Sequence, residues 1–338
     1  MCVRMHMNSE SELVEAVRGI VEKRGKAAIE QARKEILSLR HKGGIVSSAV
    51  QYFARVTIQG GLPVFPALIS LSCEAVGGKT EKVGSVGAAM SLIAGAADIH
   101  DDIIDRSSVK YSKKTVYGKF GGDIALLAGD SLLIQGVTFL QRECESLSKE
   151  QRQAILFLIP GALFEISNAE AMETRMRKRI DVKPEELFEV IRMKAVVPEV
   201  LCRIGAILGG ADDKSARALG YYGRTFGVVS IVRDEFIDLV EYPELQGRIK
   251  NECLPLPLLY ALQYSKIREE IEPLVESPSL TQKDADRIVK ITLSCEEVKK
   301  LKKDMTLAVA EGLKAVRFIA QNRIKEMALL LQAVTVDL

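Results

Sequence analysis

The chain has 338 residues, 47% of them hydrophobic, and its 47 Lys and Arg nearly balance 45 Asp and Glu, leaving a formal charge of +2. This apolar content is enough for a sizeable core and excludes a disordered chain. The even charge balance gives no global field to draw nucleic acid or an anionic membrane, so any anion site must be local. Six cysteines without a CxxC pair suggest neither a zinc site nor a disulfide framework, which fits a reducing, cytoplasmic setting. Arg4, Glu10, Glu12 and Glu15 interrupt the N-terminus before the apolar run of a signal peptide could form.

Ten prolines, no tryptophan and 5% aromatic residues, among long stretches of Ala, Leu, Ile, Glu, Lys and Arg, favour helix throughout, and no strand pattern stands out. The predicted helices run over residues 11–40, 47–59, 64–75, 82–105, 122–143, 149–175, 184–208, 213–240 and 256–264, with more helix from 281 towards the C-terminus. Gly77-Gly78, Gly209-Gly210, Pro243 and Leu254-Pro255-Leu256-Pro257 mark breaks. None of these breaks is long enough for a flexible linker, so the expectation is one all-α domain over 1–338, with 1–44 as a helical extension. The apolar run from Val83 to Ala97 is rich in Gly and Ala and ends in Asp98 and His100; it reads as a buried core helix, short of a membrane span, and no stable membrane insertion is expected. Segments 88–105, 126–137 and 196–209 are apolar or small on most faces, which predicts central positions.

Two acidic clusters carry the chemistry, Asp101-Asp102-Ile103-Ile104-Asp105 and Asp234-Glu235-Phe236-Ile237-Asp238. Residues four apart share a helix face, so Asp101 with Asp105, and Asp234 with Asp238, each present two carboxylates in one direction. If the two helices face each other, the carboxylates line one cavity. Hard oxygen ligands of this kind suit Mg²⁺, which is held by a few carboxylates together with substrate phosphate oxygens. Both clusters interrupt apolar runs, and buried carboxylates need metals, cations or hydrogen bonds to offset desolvation.

With these clusters the chain resembles the trans-isoprenyl diphosphate synthases, the polyprenyl synthetases, over roughly residues 45 to 330. Ile99-His100-Asp101-Asp102-Ile103-Ile104-Asp105 is similar to the family's first aspartate-rich motif, and Asp234-Glu235-x-x-Asp238 to its second with one Asp replaced by Glu. Lys119-Phe120-Gly121, Gly129-Asp130-Ser131-Leu132-Leu133, Lys194-Ala195 and the stretch Gly205 to Gly210 resemble further signatures. The resemblance implies an isoprenoid synthase-type helical bundle around a central apolar cavity, usually homodimeric. It implies Mg²⁺, three ions in the family's pattern, held by Asp101, Asp102, Asp105, Asp234, Glu235 and Asp238. An allylic prenyl diphosphate would be held by Lys110, Lys194 and Arg248, with Asp101, Asp102, Asp105, Asp234 and Lys194 carrying the catalysis.

The departures from the family pattern lie mostly on one side of the expected site. Gly60-Gly61-Leu62-Pro63-Val64-Phe65-Pro66 stands where the family has Gly-Gly-Lys-Arg-x-Arg-Pro, Ala94 stands where His or Gln is common, and Lys110-Tyr111-Ser112 replaces Arg-Arg-Gly. Ile231 replaces a Gln, and Ala169-Glu170-x-x-Glu173 replaces Gly-Gln-x-x-Asp. The metal and allylic half of the site survives while the basic cradle for isopentenyl diphosphate is missing, unless Lys79, Lys82, Lys113, Lys114 or Lys119 compensates. Ala96 and Ala97, where bulky residues often floor the pocket, leave depth for a substrate of roughly C15 to C25, or simply reflect close helix packing. His100 could hydrogen-bond the carboxylates or be a satisfied core histidine, and the departing diphosphate itself, or Tyr111 or Glu170, could take a final proton.

The expectation is therefore an isoprenoid-biosynthesis enzyme that ionises one allylic diphosphate, a terpene synthase-like lyase. The alternatives are a chain-elongating trans-prenyltransferase that uses isopentenyl diphosphate, and a non-catalytic subunit that forms a heteromer with a related synthase.

Overall fold

The structure is a computed structural model that describes residues 10–38, 44–58, 62–79, 81–110, 112–277, 279–319, 323–336 and 338. Helices dominate: α1 (Glu10–Ser38), α2 (Ile45–Phe53), α3 (Val64–Ala75), α4 (Lys82–Ile104), α5 (Val116–Phe120), α6 (Gly122–Cys144), α7 (Lys149–Thr174), α8 (Pro184–Lys194), α9 (Val196–Leu208) and α10 (Asp213–Val240). They continue as α11 (Tyr242–Asn251), α12 (Leu256–Ala261), α13 (Ser265–Val275), α14 (Gln282–Ser294), α15 (Glu296–Val316) and α16 (Ile324–Ala333). The all-α expectation holds, apart from one hairpin of two-residue strands, β1 (Val109–Lys110) and β2 (Lys113–Lys114), with Ser112 at φ 60° in its turn. A hairpin of two-residue strands has too little alternation to register as a strand pattern.

Packing groups the chain into two compact units, each assembled from separate stretches: residues 1–160, 200–220 and 316–329 in the first, and 161–199, 221–315 and 330–338 in the second. In the first unit α1, α3, α4 and α6 pack against one another around Leu68, Ile69, Leu71, Leu92, Ile99, Leu132, Phe139 and Leu140. Close approach depends on small residues. A Cβ on Gly95 would lie 2.6 Å from the Phe53 ring, and one on Gly136 would lie 2.8 Å from Ile93. Arg24 of α1, with its side chain 6% exposed, ties this layer together through two hydrogen bonds of 3.0 Å or less to each of Glu74 on α3 and Glu326 on α16.

Two expectations for this unit change. Helix α6 is not surrounded: it buries the stripe Ala125, Ala128, Gly129, Leu132, Gly136 and Phe139, whereas Leu126, Leu127 and Ile134 are exposed. A helix apolar on all sides reveals nothing about what covers each side, and α4 covers only the small-residue stripe. Phe157, on the first-unit part of α7, is also exposed, at 83%. The second change concerns length. Helix α4 covers Lys82–Ile104, as predicted, yet it is not short of a membrane span: α4, α6 and α7 are each long and apolar enough to cross a membrane by length and composition alone, with 56%, 39% and 22% of the apolar window buried.

The second unit brings α12 and α14 together with α8, α11 and α13 around Leu187, Ile191, Leu245, Leu256, Leu258, Leu259 and Ile288. Pro243, expected to mark a break, sits in the first turn of α11, where its missing N–H has no intrahelical partner to lose. The predicted helix 184–208 divides at Ala195, and the helix expected from 281 onwards divides at Cys295, whose ψ of 135° ends α14. Thr281 starts α14 with a capping box: its side chain accepts from the Asp284 N–H while Asp284 accepts from the Thr281 N–H.

Candidate functional site

The first acidic cluster lies at the C-terminal end of α4. Asp101 and Asp102 occupy the last turn and Asp105 is the C-cap, donating its N–H to Asp101 O at 2.8 Å. This is the negative end of the helix dipole, so the cluster concentrates anionic charge where the backbone opposes it. Arg106 at φ 57° and the bond from Ser107 N–H to Asp102 O (2.9 Å) reverse the chain, and β1 returns Lys110 to the helix. The Lys110 ammonium donates to Asp98 Oδ1 at 2.8 Å and stands 3.7 Å from Asp102 Oδ1, too far for a hydrogen bond. Burial works to lower the Lys110 pKa, but Asp98 first, then Asp102 and Asp101, raise it above the ordinary value.

Asp102 is 5% exposed, and its Oδ1 has no hydrogen-bond partner. Burial pushes its pKa up to about 7 against the pull of Lys110, with Asp98 and Asp105 adding to the rise. Asp98 was not singled out from the sequence, although its position four residues before Asp102 put it on the same helix face. His100 is half-buried, with Nε2 3.3 Å from Asp130 Oδ1 and its ring over Gly129, where a Cβ would come within 2.4 Å of Nε2. Ala96 is completely buried among the helices, and Ala97 is half-buried.

The second cluster, at the end of α10, is organised differently. Asp234 is exposed, 3.5 Å from Arg233. Glu235 is buried and accepts from Arg248 Nη2 at 2.9 and 3.0 Å and from the Leu256 N–H at 2.7 Å, while Asp238 accepts from Arg248 Nη1 at 2.8 Å. Burial raises the pKa values of Glu235 and Asp238 against the pull of Arg248, while burial works to lower the Arg248 pKa and Glu235 first, then Asp238, raise it. Also in this unit, the Lys194 ammonium bridges Glu170, at 2.8 Å, and Glu173. Burial works to lower the Lys194 pKa, but Glu173 and then Glu170 raise it above its ordinary value. The sequence had assigned Lys194 and Arg248 to a diphosphate; in this structure both are committed to carboxylates.

Where the basic cradle would lie, Leu62 is exposed, Pro63 is buried with its ring against Gly25, and Phe65 is half-buried. Gly60, Gly61 and Tyr111 lie outside the described residues. Of the lysines considered as replacements, Lys82 is paired with Glu143 at 3.1 Å and Lys119 rests 3.9 Å from the Tyr52 ring centroid; Lys79, Lys113 and Lys114 are exposed.

Among the described residues no group of three or more His, Cys, Asp or Glu side chains is gathered closely enough to hold a metal ion as it stands. The two clusters nonetheless differ as metal ligands. The first fits a hard divalent cation, because Asp102 has a buried, unpartnered oxygen beside Asp98, Asp101 and Asp105. In the second, Glu235 does not fit, because both of its oxygens are taken by Arg248 and one also by the Leu256 N–H.

The chain belongs to the polyprenyl synthetase family, whose pattern matches residues 46–292. It is 30% identical over 239 residues to a short chain isoprenyl diphosphate synthase of Methanothermobacter thermautotrophicus, covering 70% of each chain. It is 27% identical over 259 residues to heptaprenyl diphosphate synthase component 2 of Bacillus subtilis, covering 75% of this chain and 70% of that one. The fold is that of the geranylgeranyl pyrophosphate synthetase of Pyrococcus horikoshii, with a TM-score of 0.84 at 21% identity over 96% of this chain and 98% of that one. The family is one of prenyltransferases that use Mg²⁺.

Proposed function

We propose that the protein is a prenyl diphosphate synthase that joins an allylic prenyl diphosphate to isopentenyl diphosphate. The observation that carries this reading is the cluster at the end of α4, where Asp102 is buried, its Oδ1 has no hydrogen bond, and Lys110 is the cation set against it and Asp98. Asp101, Asp102 and Asp105 would hold Mg²⁺ there, and within the second unit Asp234 and Asp238 would offer carboxylates of their own to a metal ion. Bound Mg²⁺ supplies neutralisation of the leaving diphosphate. Lys110, already held by Asp98, would turn its ammonium to a diphosphate oxygen, whereas Lys194 and Arg248 stay paired with carboxylates of the second unit. In the reaction a C–O bond to diphosphate breaks, a C–C bond to the acceptor alkene forms, and the acceptor loses a proton, which Glu170 or the departing diphosphate would take.

Family membership and the diphosphate synthases among the relatives favour elongation, which reverses the order suggested by the sequence, where ionisation of one diphosphate came first. A second reading rests on one observation: Leu62, Pro63, Val64 and Phe65 offer no cation where an acceptor diphosphate would be held, which suits a terpene synthase-like lyase. The protein is incubated with Mg²⁺ and C10 to C25 allylic diphosphates, with and without isopentenyl diphosphate. Longer prenyl diphosphates formed only in its presence support elongation. Pyrophosphate release without it, with no longer product, would replace that reading with the lyase. The exposed Leu126, Leu127, Ile134 and Phe157 suit pairing with a second copy, or with a related synthase chain as the name of the B. subtilis relative suggests, in a cytoplasmic complex.

A further inference from the structure

Arg248 directs four of its five N–H donors at neighbouring groups. Nε donates to Cys253 O at 2.7 Å, Nη1 to Asp238 at 2.8 Å, and Nη2 to both oxygens of Glu235 at 2.9 and 3.0 Å. Its side chain is 10% exposed and that of Glu235 only 7%, whereas the neighbouring Asp234 side chain is 64% exposed. Glu235 Oε2 also accepts from the Leu256 N–H at 2.7 Å. The guanidinium and this one carboxylate therefore join three places in the second unit: the end of α10, the end of α11 and the turn that opens α12. An ion pair this deeply desolvated is stable only when its remaining lone pairs and protons are satisfied, and here backbone groups satisfy them.

We propose that Glu235 is not a metal ligand but the anchor of a guanidinium clamp, in which Arg248 is a positioning residue that fixes the 252–256 turn to α10 and orients Asp238. The metal role of this motif then falls to Asp234 and Asp238, an assignment that rests on the reading given under Proposed function; the clamp itself does not. The choice of Glu follows from reach. An Asp at 235 would be shorter by one bond, roughly 1.5 Å, and could not meet Arg248 and the Leu256 N–H together.

The test uses the full chain, measuring its metal-free melting temperature and its Mn²⁺ binding, by electron paramagnetic resonance, in the presence of inorganic pyrophosphate. Glu235→Asp, Glu235→Gln and Arg248→Lys should each lower the metal-free melting temperature by about 4–7 °C, because each breaks the clamp. Both Glu235 variants should keep Mn²⁺ affinity within about twofold of wild type, since the metal-facing groups are untouched. Asp234→Asn should weaken Mn²⁺ at least about tenfold without changing the melting temperature. Glu235→Gln that weakens Mn²⁺ comparably while melting like wild type would overturn the proposal, as would Glu235→Asp that tightens Mn²⁺ with no loss of stability. If wild type binds no Mn²⁺, the metal reading under Proposed function fails, and the metal-free melts alone decide: lowered values in the Glu235 and Arg248 variants uphold the clamp and unchanged values reject it. Arg248→Lys and Glu235→Asp, the milder changes, keep the test readable if Glu235→Gln does not fold.

Discussion

Asp102 should make the metal-free protein less stable at alkaline pH than at mildly acid pH. Its pKa of about 7 in the folded chain stands well above the ordinary 3.8, chiefly because of burial. Lys110, spent mainly on Asp98, only partly compensates, and Asp98 and Asp105 face the same carboxylate. The sign follows from proton linkage. Between about pH 4 and 7 the folded state keeps a proton that the unfolded chain has released, so stability falls as pH rises through this window and stays low above it. A tenfold change in proton affinity is worth about 1.4 kcal/mol, and with solvent screening of a site near the surface the full cost of ionising Asp102 is about 2–4 kcal/mol. Asp102→Asn should therefore raise the metal-free melting temperature at pH 8.5 by about 3–6 °C and change it little at pH 5, where the wild-type carboxyl is protonated. Mg²⁺ should stabilise the wild type at pH 8.5 more than it stabilises the variant, since a cation beside Asp102 removes the penalty. Melting followed by far-ultraviolet circular dichroism measures both. A variant no more stable than wild type at pH 8.5, or one shifted equally at both pH values, would refute the argument that burial charges this carboxylate at a cost.

Arg24→Met should cost about 2–4 kcal/mol in urea unfolding, because Glu74 and Glu326 lose the nearly buried guanidinium that joins them and keep the more exposed Arg323, at 2.8 and 3.5 Å, with Ser70 also on Glu74. Gly129→Ala should destabilise by about 1–3 kcal/mol and lower turnover, because the new methyl would displace the His100 ring beside Asp101; full activity with unchanged melting would show that the ring moves freely. Ile134→Glu combined with Phe157→Glu should convert the assembled protein to a monomer in light scattering while preserving helical content, since both side chains are exposed, at 66% and 83%. A wild type that is itself monomeric would remove the need for a partner on this face.

Much of the local structure was legible in the residues. The apolar period of 82–105 forecast α4 and the placement of Asp101 and Asp102 in its last turn, because helical spacing alone fixes which side chains share a face. Pro243 did mark a break, since α10 ends at Val240, but it marks it from the first turn of a further helix, α11, that the residues after it did not announce. The exposure of Leu126 and Ile134 was not legible, because apolar composition shows that a face could be buried without showing that anything in the same chain covers it. The site was legible as a set of carboxylates and cations but not as pairs. Nothing local links Lys110 to Asp98; the link requires the left-handed Arg106 and the hairpin that follow α4.

The sequence by itself determined the helical class, the family, and the identity of the acidic residues at the two helix ends, since these depend on residue type and on spacing within one element. The tertiary structure decided which carboxylates are short of charge and which are already matched. Asp102 and Glu235 read alike in a string of letters, yet burial leaves one oxygen of Asp102 without a hydrogen bond and with Lys110 only at 3.7 Å, while Glu235 is held by Arg248 and Leu256. That difference arises because a side chain's partners come from whatever distant segment the fold brings beside it, and at low dielectric the presence or absence of one such partner outweighs everything encoded nearby.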